Sequence, residues 1–458
     1  MNEAASLKIG ISGVRGVVGE SLTPQLAAAM AQAFGTTLGG GTVIVGRDSR
    51  ASGDMIKRAV IAGLLAVGCQ PVDIGISATP SIQIYTKEKW AEGAIEVTAS
   101  HNPREWNGLK FISGEGLFLN GLQVEEFLDI YHQGEFSLVG LDRLRSLRAD
   151  PDPMRPHLQR LLAYFEAGPI SRKKYKVAID CCNGAGAVLA PQFLEALGCR
   201  AEFINAVPNG LFAHNPEPVP ENITELCRTV KAVGADVGFA QDADADRLAV
   251  VDEKGEPLGE ELTLALAAEF VLRRTKGPIV TNLSTTRAID DIGRKYGVEV
   301  FRTKTGEINV VERLLSVPGG AALGGEGNGG VILPAVHPCR DSFTAMAAIL
   351  GLMAATGKTP SALRREVPEY HMIKDKIPGS REQAARLIRQ LRKKYQGRAT
   401  LTLVDGLKIE RTDHWLLIRP SNTEPIIRLT VEARTKAEAE AALAFLKKDV
   451  EEAAVRTS

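Results

Sequence analysis

The sequence has no excess of either charge: 55 Lys and Arg stand against 55 Asp and Glu in 458 residues. A chain without net charge has no global field to hold DNA or an anionic membrane, so any phosphate it recognises must be gripped locally. Neither a nucleic-acid nor a membrane partner is expected. Long apolar runs are missing too. No stretch of about 18 apolar residues occurs, and the opening MNEAASLKIG has no apolar core. Neither a membrane span nor a signal peptide is therefore expected, and the cytoplasm is the expected compartment. Cysteine is sparse: Cys69, Cys181, Cys182, Cys199, Cys227 and Cys339 show no zinc-like spacing, which points to reduced thiols. No P-loop is present.

What is there reads as an ordinary globular chain, 44% apolar and 24% charged, and too long for a single core. One pattern recurs three times. Thr42-Val-Ile-Val-Gly leads through RDSRASGD to a helical stretch over Met55–Val67, then Gly68 and an apolar run. Lys176-Val-Ala-Ile-Asp leads through CCNGAG to a helix ending near Leu197, then Gly198. Pro278-Ile-Val-Thr-Asn leads through LSTT to a helix ending at Tyr296, then Gly297. Strand, loop, helix, Gly stop and strand is the signature of a βαβ unit, which predicts three α/β domains. From Ala399 the chain changes character. LTLVDG, LKIERTD and HWLLIRPS alternate and are split by turn residues, and Thr435 with Glu438 forms a capping box ahead of a last helix. That predicts an antiparallel α+β domain. Joints are expected at Asp150–Pro156, Gly255–Glu261 and Val367–Gly379, giving domains 1–150, 151–255, 256–368 and 369–458.

Four segments carry chemistry. Thr98-Ala-Ser-His-Asn-Pro103 follows a strand-like run, so Ser100 and His101 fall on a turn at a strand end, where α/β sheets collect ligands. A serine nucleophile needs a base or charge beside it, and His101 or Lys110 can supply one; a plain polar turn is the competing reading. Asp242-Ala-Asp-Ala-Asp246-Arg247 places three carboxylates two residues apart, which would repel unless they close on a hard cation such as Mg²⁺. A solvated acidic turn is one competing reading, and an EF-hand with Glu253 at position 12 fits poorly, because position 6 is Arg247 and not Gly. Gly324-Gly-Glu-Gly-Asn-Gly-Gly330 offers Glu326 and Asn328 to vicinal hydroxyls, although a flexible turn would look the same. Arg419-Pro-Ser-Asn-Thr-Glu-Pro425, with Arg428 beyond it, presents a charged fork and short donors suited to a phosphate dianion.

These four segments, with Gly10-Ile-Ser-Gly-Val-Arg-Gly16 before them, resemble the α-D-phosphohexomutase superfamily in order and spacing over nearly the whole chain. The resemblance implies three similar α/β domains with mixed sheets sandwiched by helices, plus a C-terminal antiparallel α+β domain, heart-shaped around a central cleft. It implies a phosphoryl group carried on Ser100, with Mg²⁺ held by Ser100, Asp242, Asp244 and Asp246, and a hexose 1,6-bisphosphate as intermediate and activator. His101 and Lys110 take acid/base positions, Lys110 the more central, and Arg15 and Arg247 hold the moving phosphoryl. Glu326 and Asn328 read the sugar. Arg419, Ser421, Asn422, Thr423 and Arg428 hold the other phosphate. Asn328 and Gly330 stand where many members have Ser and His, Glu307 where some have His, and Asn422 where many bacterial phosphoglucosamine mutases have Gly. A small sugar phosphate is the expected partner and a monomer or homodimer the expected state. Glucosamine phosphate is slightly favoured over mannose or glucose phosphate, with broad specificity, a metal-dependent sugar phosphatase and a silent sensor as alternatives.

Overall fold

Where the sequence alternates short apolar runs with helical periods, the computed structural model forms three parallel strand–helix–strand units. The strands Gly41–Arg47 and Cys69–Ile76, Lys176–Asp180 and Arg200–Ile204, and Ile279–Asn282 and Val300–Thr303 each pair in parallel. The helices between them are Gly53–Ala66, Gly186–Ala196 and Ala288–Tyr296. The structure describes residues 7–10, 13–421 and 426–455. It divides into two compact units, Met1–Val271 with Asn328–Arg364, and Leu272–Gly327 with Arg365–Ser458.

The first unit holds a mixed seven-stranded sheet. Gly41–Arg47 lies between Cys69–Ile76 and Gly93–Val97, all parallel, while Trp106–Ser113 runs antiparallel to Gly93–Val97 and to Gly13–Val17. Its core is aliphatic apart from Phe34, Phe111 and Phe127, whose rings lie 4.5 to 6.2 Å apart. The helix Pro24–Leu38 starts where the Thr23 hydroxyl accepts the Leu26 N–H and stops at Gly39, φ 71°. A second, four-stranded sheet runs Leu248–Val251, Val237–Gln241, Lys176–Asp180, Arg200–Ile204. Only its first pair is antiparallel, and the turn of that pair carries the three aspartates. The hairpin Gly330–Leu333 and His337–Arg340 leads into Ser342–Thr356, a helix with apolar residues on every side and buried to match.

The second unit sets Val300–Thr303, Ile279–Asn282 and Leu323–Glu326 in parallel. It also holds a five-stranded antiparallel sheet, ordered His371–Pro378, Ile426–Ala433, His414–Pro420, Leu407–Glu410, Thr400–Thr402. The helices Arg381–Tyr395 and Lys436–Val455 cover one face of it around Leu391, Leu416, Leu429 and Leu446. The three alternating runs pair as expected, and the Thr435–Glu438 capping box is formed. The joint expected over Val367–Gly379 is narrowed, because His371–Pro378 pairs along its whole length with Ile426–Ala433 and most of that stretch is strand. Lys374 and Lys376 alternate with Ile373 and Ile377, so charge on the outer face of this edge strand masks its period. All six cysteines are unpaired. Among the described residues no helix is long and apolar enough to cross a membrane.

Lys408, 1% exposed, lies in this sheet with Nζ 4.5 Å from the centre of the Trp415 ring and 3.3 Å from Glu410 Oε1. Burial, then the Arg302 charge, lowers its ammonium from 10.5 to about 8 against the pull of Glu410. The unfolded chain therefore binds more protons between about pH 8 and 10.5, and stability rises with pH across that window. Lys408→Met keeps the apolar stem. It is expected to flatten this rise and to raise the denaturant midpoint at neutral pH, as read from urea unfolding across the window.

Candidate active site

The strand Gly93–Val97 ends at a tight turn that holds Ser100 with φ 51°, a conformation costly for a residue with a side chain. The surroundings over-determine it. The Ser100 N–H donates to Thr98 Oγ1 at 2.9 Å, and the Thr98 hydroxyl donates to Asp48 Oδ2 at 2.6 Å. Arg50, 1% exposed, takes the backbone of the turn. Its Nη2 donates to the carbonyls of Ser100 (2.6 Å) and Asn102 (2.7 Å), and its Nη1 to those of Pro103 (2.7 Å) and Trp106 (3.0 Å). Its Nε pairs with Asp48 Oδ2 at 3.0 Å, and the Phe212 ring lies 4.9 Å away. A rigid planar fork serving four carbonyls is work that Lys cannot do. Sequence reasoning passed over Arg50 because RDSR read as an ordinary polar loop; the one clue was a strongly apolar strand leading directly into it.

The aspartate loop faces this turn. Asp242, Asp244 and Asp246 are all fully buried, and each offers a carboxylate oxygen within 4.8 Å of the other two. Helix beginnings hold the loop's backbone. The carbonyl of Ala243 accepts from the N–H of Ala185, that of Asp244 from Thr79, and that of Ala245 from the Ser342 hydroxyl, at 2.8, 2.9 and 2.7 Å. These donors stand at the starts of three helices, whose free N–H groups need acceptors and whose positive ends favour anions. Ala245 sits at φ 56°, and its small side chain keeps the loop tight.

The charges are counted closely. Lys110 Nζ lies 2.6 Å from Asp244 Oδ2, 3.5 Å from Glu96 and 3.8 Å from Asp246, and Arg340 Nη2 meets Asp246 Oδ2 at 2.5 Å. Burial opposes charge on Asp244, yet Lys110 wins and holds its carboxyl below the usual range. Asp242 gains only two backbone N–H groups on Oδ1 and the Ser100 hydroxyl on Oδ2, at 3.1, 3.2 and 3.1 Å. Burial, then Asp244 and Asp246, push it well up. Glu96 is raised to about 8 by burial against the pull of Lys110. Asp244 Oδ1 and Asp246 Oδ1 are buried without a hydrogen bond. Three oxygen donors, two of them orphaned, and a carboxyl driven towards its protonated form fit a hard divalent cation such as Mg²⁺.

Other expected residues gather here. Ser100 Oγ is 3.3 Å from His101 Nδ1, and Arg15 Nη1 donates to Asn102 Oδ1 at 3.0 Å. The Arg247 charge, then burial and Arg15, hold the His101 imidazole well below its ordinary range. Arg247 lies 3.8 Å from Asp246 and 3.7 Å from Glu217. Asn328 is in the same unit, where the Gly329 carbonyl accepts from Leu248 N–H at 3.1 Å. A side chain at Gly329, φ 85°, would meet that Leu248 backbone at 2.4 Å, so the glycine is required. The second unit carries the rest. Glu326, 3% exposed, accepts on Oε1 from Asn282 Nδ2 (2.8 Å) and the Gly306 N–H (2.9 Å). Glu307 is buried in the first turn of the helix Glu307–Leu315. Arg419 lies opposite Arg428 in the antiparallel register, and the Ser421 N–H donates to the Ile426 carbonyl. Asn422 and Thr423 lie outside the described residues.

Sequence models of phosphoglucomutase/phosphomannomutase match four successive stretches. They are alpha/beta/alpha domain I over 6–137, domain II over 155–255, domain III over 259–370 and the C-terminal domain over 375–448. The chain is 38% identical over 434 residues to a probable phosphoglucosamine mutase of Methanopyrus kandleri, covering 93% of this chain and 94% of that one. It is also 38% identical over 453 residues to a phosphoglucomutase/phosphomannomutase of Thermococcus kodakarensis, covering 97% and 98%. The crystal structure of a phosphoglucomutase/phosphomannomutase family protein from Burkholderia thailandensis aligns with TM-score 0.84 at 28% identity over 96% of each chain.

Two outcomes follow from this geometry. Mg²⁺ at about 100 times its Kd is expected to stabilise the wild type by about 2.7 kcal/mol. Asp242→Asn is expected to lose that gain while matching or exceeding wild-type stability in EDTA, both read from unfolding curves. Arg50→Lys is expected to speed amide exchange over residues 98–106 by about tenfold or more, seen by hydrogen-exchange mass spectrometry.

Proposed function

The chain belongs to the α-D-phosphohexomutase superfamily, and from that premise we propose that it moves a phosphoryl group between the 1- and 6-positions of a hexose through Ser100. The observation that carries this reading is the Ser100 hydroxyl 3.1 Å from Asp242, in a loop of three buried carboxylates. In the resting enzyme Ser100 is phosphorylated. The Oγ–P bond breaks as a sugar hydroxyl oxygen bonds to phosphorus; the sugar hydroxyl gives its proton to a neighbouring base and the departing Ser100 Oγ takes one up. The product is a bound hexose 1,6-bisphosphate. It turns end over end, Ser100 Oγ gives up its proton as it takes the other phosphoryl group, and the freed sugar oxygen takes a proton. Phosphate is neither gained nor lost, and a bisphosphate supplied from solution can recharge an empty serine, which makes it an activator.

Asp242, Asp244, Asp246 and the Ser100 oxygens would hold Mg²⁺, which offsets negative charge on the phosphoryl group in transfer. The protein's own residues divide the remaining work. Lys110, whose ammonium is favoured by Asp244, Glu96 and Asp246 over the cost of burial, is placed to donate a proton. The His101 imidazole is uncharged at neutral pH and lies against Ser100 Oγ, so it is the better acceptor. Arg15 and Arg247 grip the moving phosphoryl group. Glu326 and Asn328 read sugar hydroxyls. Arg419, Ser421, Asn422, Thr423 and Arg428 hold the phosphate that is not reacting, a task suited to charged forks and short donors.

Among the sugars, glucosamine phosphate is slightly favoured, since Glu307 adds a buried carboxylate on the stretch Lys304–Glu307 and a relative bears the phosphoglucosamine mutase name. Broad action on mannose and glucose phosphates is the alternative. Coupled assays with the 1-phosphates of glucosamine, mannose and glucose test this. Isomerisation is expected with glucosamine 1-phosphate fastest, and Ser100→Ala is expected to lose on the order of 10³-fold or more in turnover. Comparable rates on all three sugars would replace the glucosamine preference with broad specificity. Steady release of inorganic phosphate in place of isomerised sugar would make the protein a phosphatase and overturn the reading.

A further inference from the structure

In the second unit Arg419 has a resident partner. Its Nη1 lies 3.6 Å from Asp405 Oδ2, and both side chains are about four-fifths buried, with 20% and 19% exposure. The same carboxylate oxygen accepts the Thr305 N–H at 3.0 Å and the Thr305 hydroxyl. Asp405 thus joins two pieces of chain: the turn ahead of Leu407–Glu410, and the segment 304–306 ahead of the helix Glu307–Leu315. Gly406, φ 83°, lets that turn close on the Arg419 strand, since a Cβ there would stand 2.2 Å from the Ile418 carbonyl. One residue after Thr305, the Gly306 N–H donates to Glu326 Oε1 at 2.9 Å. A single carboxylate therefore touches Arg419 directly and, through two backbone steps, braces Glu326.

The charge pattern around it is uneven. In the antiparallel register Arg419 stands opposite Arg428, and Arg428 stands opposite Lys376. Like charges directly opposed across strands repel, and this row concentrates positive charge on one side of the sheet. Asp405 supplies negative charge at one end of the row, within ion-pair distance of Arg419.

We propose that Asp405 is a positioning and affinity-setting residue: it holds Arg419 in place of the phosphate, then opposes the phosphate's charge once that group arrives. This rests on the reading of Arg419 as the phosphate anchor. A carboxylate beside the anchor repels an incoming dianion, so it keeps the anchor extended but its grip weak. A phosphate that must be let go and taken up again in each cycle requires such a weak grip.

Asp405→Asn tests the charge alone, because the amide oxygen can still accept from Thr305. The constants to measure are the Ki of inorganic phosphate as a competitive inhibitor and the KM for glucosamine 1-phosphate, on the full chain at low and high salt. Both are expected to fall about three- to tenfold in Asp405→Asn. The gap to wild type is expected to narrow as salt rises. Asp405→Glu, which keeps the charge, is expected not to tighten either constant. A loss of packing alone would weaken binding, so tighter binding is a result that a structural role does not give. Unchanged or weakened binding in a folded Asp405→Asn, confirmed by its unfolding midpoint, overturns the proposal. Arg419→Ala, run alongside, tests the underlying reading separately. If it leaves both constants at wild-type values, the anchor assignment falls and the proposal falls with it.

Discussion

Three carboxylates turned inward on one short loop set the terms for the first unit. Asp242, Asp244 and Asp246 are all withdrawn from water, and desolvating a carboxylate costs several kcal/mol unless charge and hydrogen bonds replace what water gave. The replacements are incomplete by design of the site. Lys110 and Arg340 answer two of the three, Asp242 receives mainly backbone donors, and two oxygens on its neighbours accept no hydrogen bond. A cation between the carboxylates would complete the balance, and the Ser100 hydroxyl already points at the carboxylate left worst served.

Holding such a loop against its own repulsion requires a stiff frame. Successive carbonyls of Ala243, Asp244 and Ala245 each go to the start of a different helix, so the loop cannot relax without uncapping three helices. Two of those helix starts are themselves linked. Ser81, in the helix Thr79–Glu88, meets His157 Nδ1 at 2.8 Å, and His157 Nε2 meets Asp341 Oδ2 at 3.0 Å just ahead of Ser342. All three side chains are buried, and the chain of contacts fastens one helix start to the other. Arg50 does for the serine turn what the helix starts do for the aspartate loop, since both secure backbone carbonyls and leave the reactive side chains free. Precise placement of a nucleophile depends on such support.

The second unit solves a different problem. Arg419, Arg428 and Lys376 share one face of an antiparallel sheet, and the opposite face is closed by two helices. Burial there is partial, and the Asp405 carboxylate lies 3.6 Å from Arg419. Lys408 shows what full burial does to a cation even with a carboxylate 3.3 Å away, its ammonium being lowered to about 8 beneath the Trp415 ring.

The sequence by itself determined the fold class, the three parallel βαβ units and the antiparallel tail, because hydrophobic period and glycine stops are local signals. It also singled out Ser100 and the three aspartates, since each lies on a short stretch whose residue types can be read without their neighbours. Tertiary structure alone decided the rest. The edge strand His371–Pro378 becomes a strand only because Ile426–Ala433 supplies its hydrogen bonds from about fifty residues away. Arg50 becomes a clamp only because folding brings the carbonyls of residues 100–106 to it, and the balance between Lys110 and Asp244 exists only across 134 residues of chain. The physical reason is the same in each case. A pattern along the chain can be read one residue at a time, whereas burial and charge compensation belong to groups that only the fold makes neighbours.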